Sequence, residues 1–233
     1  MTEQRDIEGS RIIIVAYVPQ RHSAFKRLVR DDKQTVLRLG FADSHETRVD
    51  IIQTSLPGVV VIKPRVHEDP RGFFTETYRA DALAGAGIHD NFVQDNHARS
   101  VRGVLRGLHY QLQHAQAKLC RVVSGEVYDV ALDIRLGSPT FGKWFGVTLS
   151  EENKLQIYLP RGFAHGYVVR SATADFLYKC SDYHVAPDGY GVQWNDPALA
   201  IAWETPSPML SAKDQTFLPL ADVPRELLPR YER

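Results

Sequence analysis

Residues 118–135 read KLCRVVSGEVYDVALDIR, and their pattern decides the fold. Val127, Val130 and Leu132 are apolar among polar neighbours, and Ser124-Gly125-Glu126 has the character of a tight turn. The stretch therefore predicts a hairpin of KLCRVV with EVYDVALDI. The same texture recurs outward from it, beginning near Leu56: VVVIKPRV, GFFTETYR, LRGLHYQL, KWFGVTLS, LQIYLP, GYVVRS, ADFLYKCSDY and LAIAW, punctuated by glycine, proline and aspartate. Strands this short and numerous favour a closed barrel or jelly roll over an open sheet, because closure removes unpaired edges. Helix is scarce: one short segment from Arg79 to Ala86, stopped at Gly85 and Gly87, and a SAKD turn after Ser211.

The composition narrows the function. A chain of 233 residues with 43% hydrophobic residues can fill one sizeable core. Twenty-eight lysines and arginines balance 28 aspartates and glutamates, so no global field draws the protein to nucleic acid or an anionic membrane. Any anionic ligand must be held by local cations. Cys120 and Cys180 lie in apolar or aromatic segments and read as buried free thiols. The apolar run Ile12 to Val18 is too short to span a bilayer, and Met1 to Arg11 carries acids where a secretion signal carries bases. A cytoplasmic protein is expected.

Three features stand apart from strand filling. In VLRGLHYQ, Arg106 and His109 are three residues apart and would point to opposite faces of a regular strand, unless a bulge at Gly107 re-aims one. A strand histidine is commonly a structural hydrogen-bonder. In LPRGFAHGYVV, Pro160, Gly162 and Gly166 build a turn that delivers His165 to the mouth of the next strand. In ADFLYKCSDY, Tyr178 sits in an aromatic strand, where packing is the ordinary role. Cys120 is assigned to packing. There is no GxSxG elbow, P-loop or Rossmann fingerprint, which leaves nucleophilic hydrolysis and phosphoryl transfer without support.

Taken together, these segments resemble the dTDP-4-dehydrorhamnose 3,5-epimerases of the cupin superfamily. The likeness runs from about Thr54 to Leu220 through DPRGFFTETY, FVQDNHARS, VLRGLHYQ, the AKL before Cys120, GSPTFGKWFGVTLSEENKLQIYLPRGFAHGY, FLYKCSDYH, WNDP and LSAKD. It implies an all-β, cupin-type jelly roll (double-stranded β-helix barrel) with a few short helices. It also implies epimerisation at carbons 3 and 5 of a nucleotide-linked 4-keto-6-deoxyhexose without a cofactor, and a homodimer. By the resemblance His109 is the general base, Asp214 orients its imidazole, Tyr178 is the acid on the opposite face, and Lys118 meets the ketone oxygen with help from Arg106. His165 is placed in the same pocket. Nucleotide contacts fall on Arg71, Phe74, Glu76, Gln94, Asn96 and Lys213, with Tyr183 stacking on the base. The Pro-x-Gly-x-x-His turn often supplies a metal ligand in cupins, but here the earlier strand has no second histidine beside His109, so no metal is expected.

The chemistry agrees with that assignment. A proton beside a ketone is a weak acid, and neutral imidazole removes it only if the enolate meets fixed positive charge, a part suited to Lys118. Inversion then needs a proton from the other face, which a tyrosine hydroxyl can donate. Arg71 and the other basic residues of the motifs supply the local cations that two phosphates require.

The sequence departs from the family in two places. A glutamate usually follows the stacking aromatic before WND; here the segment is YHVAPDGYGVQWND, with Gly189 at that place and Asp188 beside it. Residues 1–50 have no family counterpart and read as an N-terminal extension, ahead of an epimerase domain at 51–225 and a tail at 226–233. Val49, whose GTG codon can serve as a bacterial start, marks the expected beginning of the family-like chain. Two other readings compete: a cupin that keeps the pocket as a non-catalytic sugar-binding module, and a metal-dependent cupin oxygenase. A base and acid pair that a mere binder need not retain, and the missing metal ligands, count against them. Inversion at carbon 3 or 5 alone stays open, as does the nucleotide.

Overall fold

The computed structural model describes residues 49–232 in full and, within residues 1–48, the backbone of four strands. The expectation of an N-terminal extension over residues 1–50 falls in part on positions outside those described. The chain divides into two compact units, one of Met1–Gln53 with Val60–Asp90 and one of Thr54–Val59 with Asn91–Arg233.

In the first unit, β1 (Thr2–Ile7), β2 (Ser10–Tyr17), β3 (Ala24–Asp31), β4 (Gln34–Phe41), β5 (Val49–Gln53) and β6 (Val60–Lys63) pair each with the next, all antiparallel. A separate ribbon joins β7 (Val66–Asp69) to β8 (Gly72–Thr75). Its turn is clasped by Asp69, whose carboxylate accepts from the backbone and guanidinium of Arg71. The expected short helix is present as α1 (Ala80–Gly85).

The second unit holds β9 (Gln94–Val101), β10 (Leu105–Gln111), β11 (Lys118–Ser124), β12 (Glu126–Asp133), β13 (Trp144–Ser150), β14 (Gln156–Leu159), β15 (Phe163–Val169), β16 (Thr173–Cys180) and β17 (Gly189–Gly191). They form two antiparallel layers, ordered β14-β11-β16-β9 and β13-β12-β15-β10-β17. This is the expected all-β jelly-roll arrangement.

The alternation of β12 shows how the layers are filled. Val127 and Ala131 join Cys120, Val122, Leu149, Phe163, Tyr167 and Phe176, contributed by strands of both layers. Val130 and Leu132, on the other face, are covered by Val192, Leu199, Trp203, Leu220 and Leu228 of the C-terminal segment. Burial on both faces explains why this strand is so apolar; each such side chain contributes on the order of 1.5–3 kcal/mol.

The layers also correct the opening expectation. β11 and β12 do not pair with each other: β11 lies between β14 and β16, and β12 between β13 and β15. Gly125, at φ +77°, carries the chain across from one layer to the other, and a Cβ there would meet the carbonyl of Thr173. LAIAW is not a strand either. Ala200 at φ 49° and Glu204 at φ 57° interrupt any extended run, and Trp203 instead packs beneath the five-stranded layer and donates from Nε1 to the Trp194 carbonyl. The SAKD turn is realised as a 3₁₀ turn at Asp214–Thr216.

Candidate active site

The site starts from an irregularity in β10. The pairing of β10 with β15 shifts between Arg106 and His109, and Gly107 there has φ +138°. A Cβ on Gly107 would lie 2.5 Å from the Gly166 Cα and 3.0 Å from the His165 carbonyl oxygen, so two glycines let the strands touch. The shift turns both Arg106 and His109 toward one cavity of about 560 Å³, which a regular strand could not do.

His109 is held on two sides. Its Nε2 lies 2.6 Å from Oδ1 of Asp214, which is itself buried. Phe217 approaches edge-on, at 5.7 Å and 77°. That ring lies over Gly191, where any Cβ would collide with it, and Gly191 is the register partner of His109. Burial pushes the Asp214 carboxyl up, but the hydrogen bond and charge of His109, together with Ser211 and the Gly107 backbone, outweigh it and hold the pKa below its ordinary value. An ionised acceptor on Nε2 places the imidazole proton there and leaves the lone pair on Nδ1.

The facing layer supplies the other groups. Tyr178 and Cys180 on β16 share a face with Lys118 on β11 and with Gln94 and Asn96 on β9, and all five line the cavity. Burial, and secondarily the neighbouring thiols, push the Tyr178 phenol up to about 12. Among the described residues no carboxylate pairs with Lys118 or Arg106; the Arg106 guanidinium is steadied only by Ser100 Oγ, at 3.1 and 3.0 Å. At the mouth, Lys213 donates to the Gly189 carbonyl at 3.0 Å. Asp188 faces elsewhere, its carboxylate accepting from the backbone of Leu112, Gln113 and His114. Burial raises its pKa and those three donors more than reverse the effect. Asp188 is therefore a loop clasp and does not stand in for the family glutamate.

The structure thus brings together His109, Asp214, Tyr178, Lys118, Arg106, Gln94, Asn96 and Lys213 around one cavity. It does not put His165 in the cavity wall: that ring is buried behind it, bonded to Asp129 at 2.8 Å and stacked on Phe176. Tyr183 is 62% exposed and outside the lining. Arg71, Phe74 and Glu76 belong to the first unit, where Phe74 is 70% exposed. Gln116 and Tyr190 line the cavity without having been singled out in the sequence, and Cys180, read there only as a buried thiol, lines it as well.

Comparison with known proteins adds the family. The model of the dTDP-4-dehydrorhamnose 3,5-epimerase family matches residues 53–222. The dTDP-4-dehydrorhamnose 3,5-epimerase of Pseudomonas aeruginosa is 52% identical over 171 residues, 72% of this chain and 94% of that one. That of Neisseria gonorrhoeae is 53% identical over 168 residues, which are 71% of this chain and 51% of the longer relative. The crystal structure of the dTDP-6-deoxy-D-glucose-3,5-epimerase of Legionella pneumophila, in complex with dTDP-4-keto-L-rhamnose, superposes with a TM-score of 0.78 at 51% identity, covering 79% of this chain and all of that one. With this likeness along most of its length, the chain belongs to the dTDP-4-dehydrorhamnose 3,5-epimerase family of isomerases.

Proposed function

We propose that the protein inverts carbons 3 and 5 of dTDP-4-dehydro-6-deoxyglucose, giving dTDP-4-dehydrorhamnose, with His109 as base and Tyr178 as acid. The observation that carries this reading is the placement of those two groups on facing layers around one cavity that also holds two cations without carboxylate partners.

Each step is assigned to a group that lines the cavity or orients one that does. Nδ1 of His109 takes the proton beside the ketone, and Asp214 offsets the imidazolium charge that forms. The electron pair moves onto the ketone oxygen, where Lys118 and Arg106, free of competing carboxylates, stabilise the enolate. Tyr178, kept as a phenol by its raised pKa, delivers a proton to the other face of the same carbon. Its tyrosinate is then stabilised by Arg106 until the proton returns. Repetition at the second carbon completes the reaction, and both centres are acidified by the one carbonyl between them. Lys213 and the amides of Gln94 and Asn96 suit the diphosphate and base.

A dTDP-linked substrate is supported by the relatives' names, including the Legionella complex. A cytoplasmic homodimer serving cell-surface glycan synthesis is supported by the family likeness and by the charge balance; among the described residues no helix is long and apolar enough to cross a membrane.

The test is incubation with dTDP-4-keto-6-deoxyglucose in deuterium oxide under proton NMR. Exchange at carbons 3 and 5 is expected. Exchange at one carbon redefines the protein as a monoepimerase, the activity named for a relative from Streptomyces niveus that is 40% identical. No exchange at all makes it a binder.

A further inference from the structure

The Arg106 side chain starts on one layer and is gripped by the other. Arg106 belongs to β10 of the five-stranded layer and Ser100 to β9 of the facing one. Nε and Nη2 of Arg106 both donate to Ser100 Oγ, at 3.1 and 3.0 Å. The backbone between the two residues is pinned. Where the chain crosses from β9 to β10, the Arg102 and Gly103 amides donate to the carbonyls of Ala172 and Val169, each at 3.0 Å, and Gly103 makes the turn at φ +80°. Ser100 is 6% exposed, lies opposite Ala174 in the ladder of β9 with β16 and, unlike Arg106, does not line the cavity.

The chemical character of the acceptor matters. A guanidinium that gives two donors to a carboxylate is held firmly, but its charge is neutralised. A serine hydroxyl takes the same edge of the fork and cancels none of the charge. Among the described residues no carboxylate pairs with Arg106, so its whole charge serves the cavity that it lines. That charge also reaches Tyr178: burial is the main influence that raises this phenol, and Arg106 works against it. Where the guanidinium stands therefore sets how readily a tyrosinate is tolerated.

We infer that Ser100 is a positioning residue for the reaction: its hydroxyl, buried behind the cavity wall, holds the Arg106 guanidinium where it stabilises the enolate and the tyrosinate, and leaves its charge whole. The inference rests on the proton-transfer reading given above. Ser100 touches no reacting atom and acts only through Arg106. Without the hydroxyl the long arginine side chain regains its rotamer freedom, in a cavity of about 560 Å³. Misplacing a charge-stabilising group by about 1 Å costs on the order of 100-fold in rate.

A neutral clamp and a charged one make opposite predictions for an acid at this position. Ser100→Asp gives the guanidinium a stronger, bidentate partner, so a role limited to immobilising Arg106 is preserved or improved. A role that needs the charge is lost, because the new carboxylate cancels it. Ser100→Thr keeps a hydroxyl on the same strand, where a β-branched residue is at home.

The test compares Ser100→Ala, Ser100→Thr and Ser100→Asp in the full chain on dTDP-4-keto-6-deoxyglucose, with proton NMR following product. Ser100→Ala should lower kcat roughly 10- to 100-fold and change KM by less than about threefold. Ser100→Thr should stay within about threefold of the unaltered protein, and Ser100→Asp should lose at least as much as Ser100→Ala. In an Arg106→Met background, Ser100→Ala should add nothing. A cooperative melt shows that each variant is folded; Ser100→Cys, of the same shape with a weak acceptor, takes the place of Ser100→Ala if that chain does not fold. Full activity in Ser100→Ala or Ser100→Asp overturns the inference. So does a loss in Ser100→Thr equal to that in Ser100→Ala, or losses that add in the Arg106→Met background. In each of these cases the proton-transfer reading stands. No exchange and no product with the unaltered protein overturns that reading, and this inference with it.

Discussion

Nε2 of His109 lies 2.6 Å from Oδ1 of Asp214, across 105 residues of sequence. The contact fixes which nitrogen is basic, so the two residues act as one unit. Asp214→Asn keeps the shape and loses the charge that stabilises the imidazolium. The expected result is a fall in kcat of roughly 100- to 10,000-fold with KM little changed, measured by NMR as the rate of product formation. His109→Asn should abolish isotope exchange while nucleotide binding, followed by calorimetry, persists.

Tyr178→Phe separates removal of a proton from inversion. With the base intact, deuterium should still enter the substrate from the His109 side with its configuration retained. Product should fall by about 100-fold or more. Equal loss of exchange and of product would remove Tyr178 from the acid role.

The raised pKa of Tyr178, about 12, has a visible consequence. The donor form persists through the alkaline range, so kcat should show no descending limb from this group until the pH approaches 12. A limb near 10, the ordinary phenol value, that disappears in Tyr178→Phe would show the hydroxyl to be better solvated than its position indicates.

Acid stability should depend on Asp133. This carboxylate is fully buried and is held by Arg135 at 2.7 Å, Ser138 and Thr140 at 2.6 Å each. Burial raises its pKa, but those donors together bring it below the ordinary value. A carboxyl with a lowered folded-state pKa favours folding above its unfolded pKa near 3.8, and that contribution disappears as the pH falls through the lower, folded value. Asp133→Asn should cost about 3 kcal/mol at neutral pH by leaving Arg135 unpaired, and should flatten the loss of stability below pH about 4. Urea unfolding at a series of pH values measures both.

Gly107→Ala tests the irregularity in β10. The new methyl would have to stand 2.5 Å from the Gly166 Cα, on a backbone at φ +138°. A loss of about 2–4 kcal/mol is expected, accompanied by loss of activity in whatever fraction folds, since Arg106 and His109 are re-aimed together.

The strands were legible because valine, isoleucine and aromatic residues mark them, and the family's motifs carried His109, Tyr178, Lys118 and Asp214 to one cavity. What the text of the chain does not carry is which layer a strand joins. Ser124-Gly125-Glu126 looks the same whether the chain folds back on itself or crosses to the other layer; distant partners, β14 and β16 for one strand and β13 and β15 for the other, decide it. β9 escaped notice because Gln94 to Val101 alternates polar residues on both faces. Its place is set by an eight-residue ladder with β16. His165 was expected in the pocket from the family resemblance, yet the pleat sends it behind the wall toward Asp129, a residue with no motif of its own. Cys120 read as packing, and it is wholly buried in the core between the layers.

The close passage of Gly107 over Gly166 sets a limit on how this barrel can be re-engineered. A designer who regularised the strand, replacing both glycines with good β-formers and restoring an unbroken ladder, would improve every local score. Arg106 and His109 would then project to opposite sides, and the product would be a sturdier barrel with no catalyst in it.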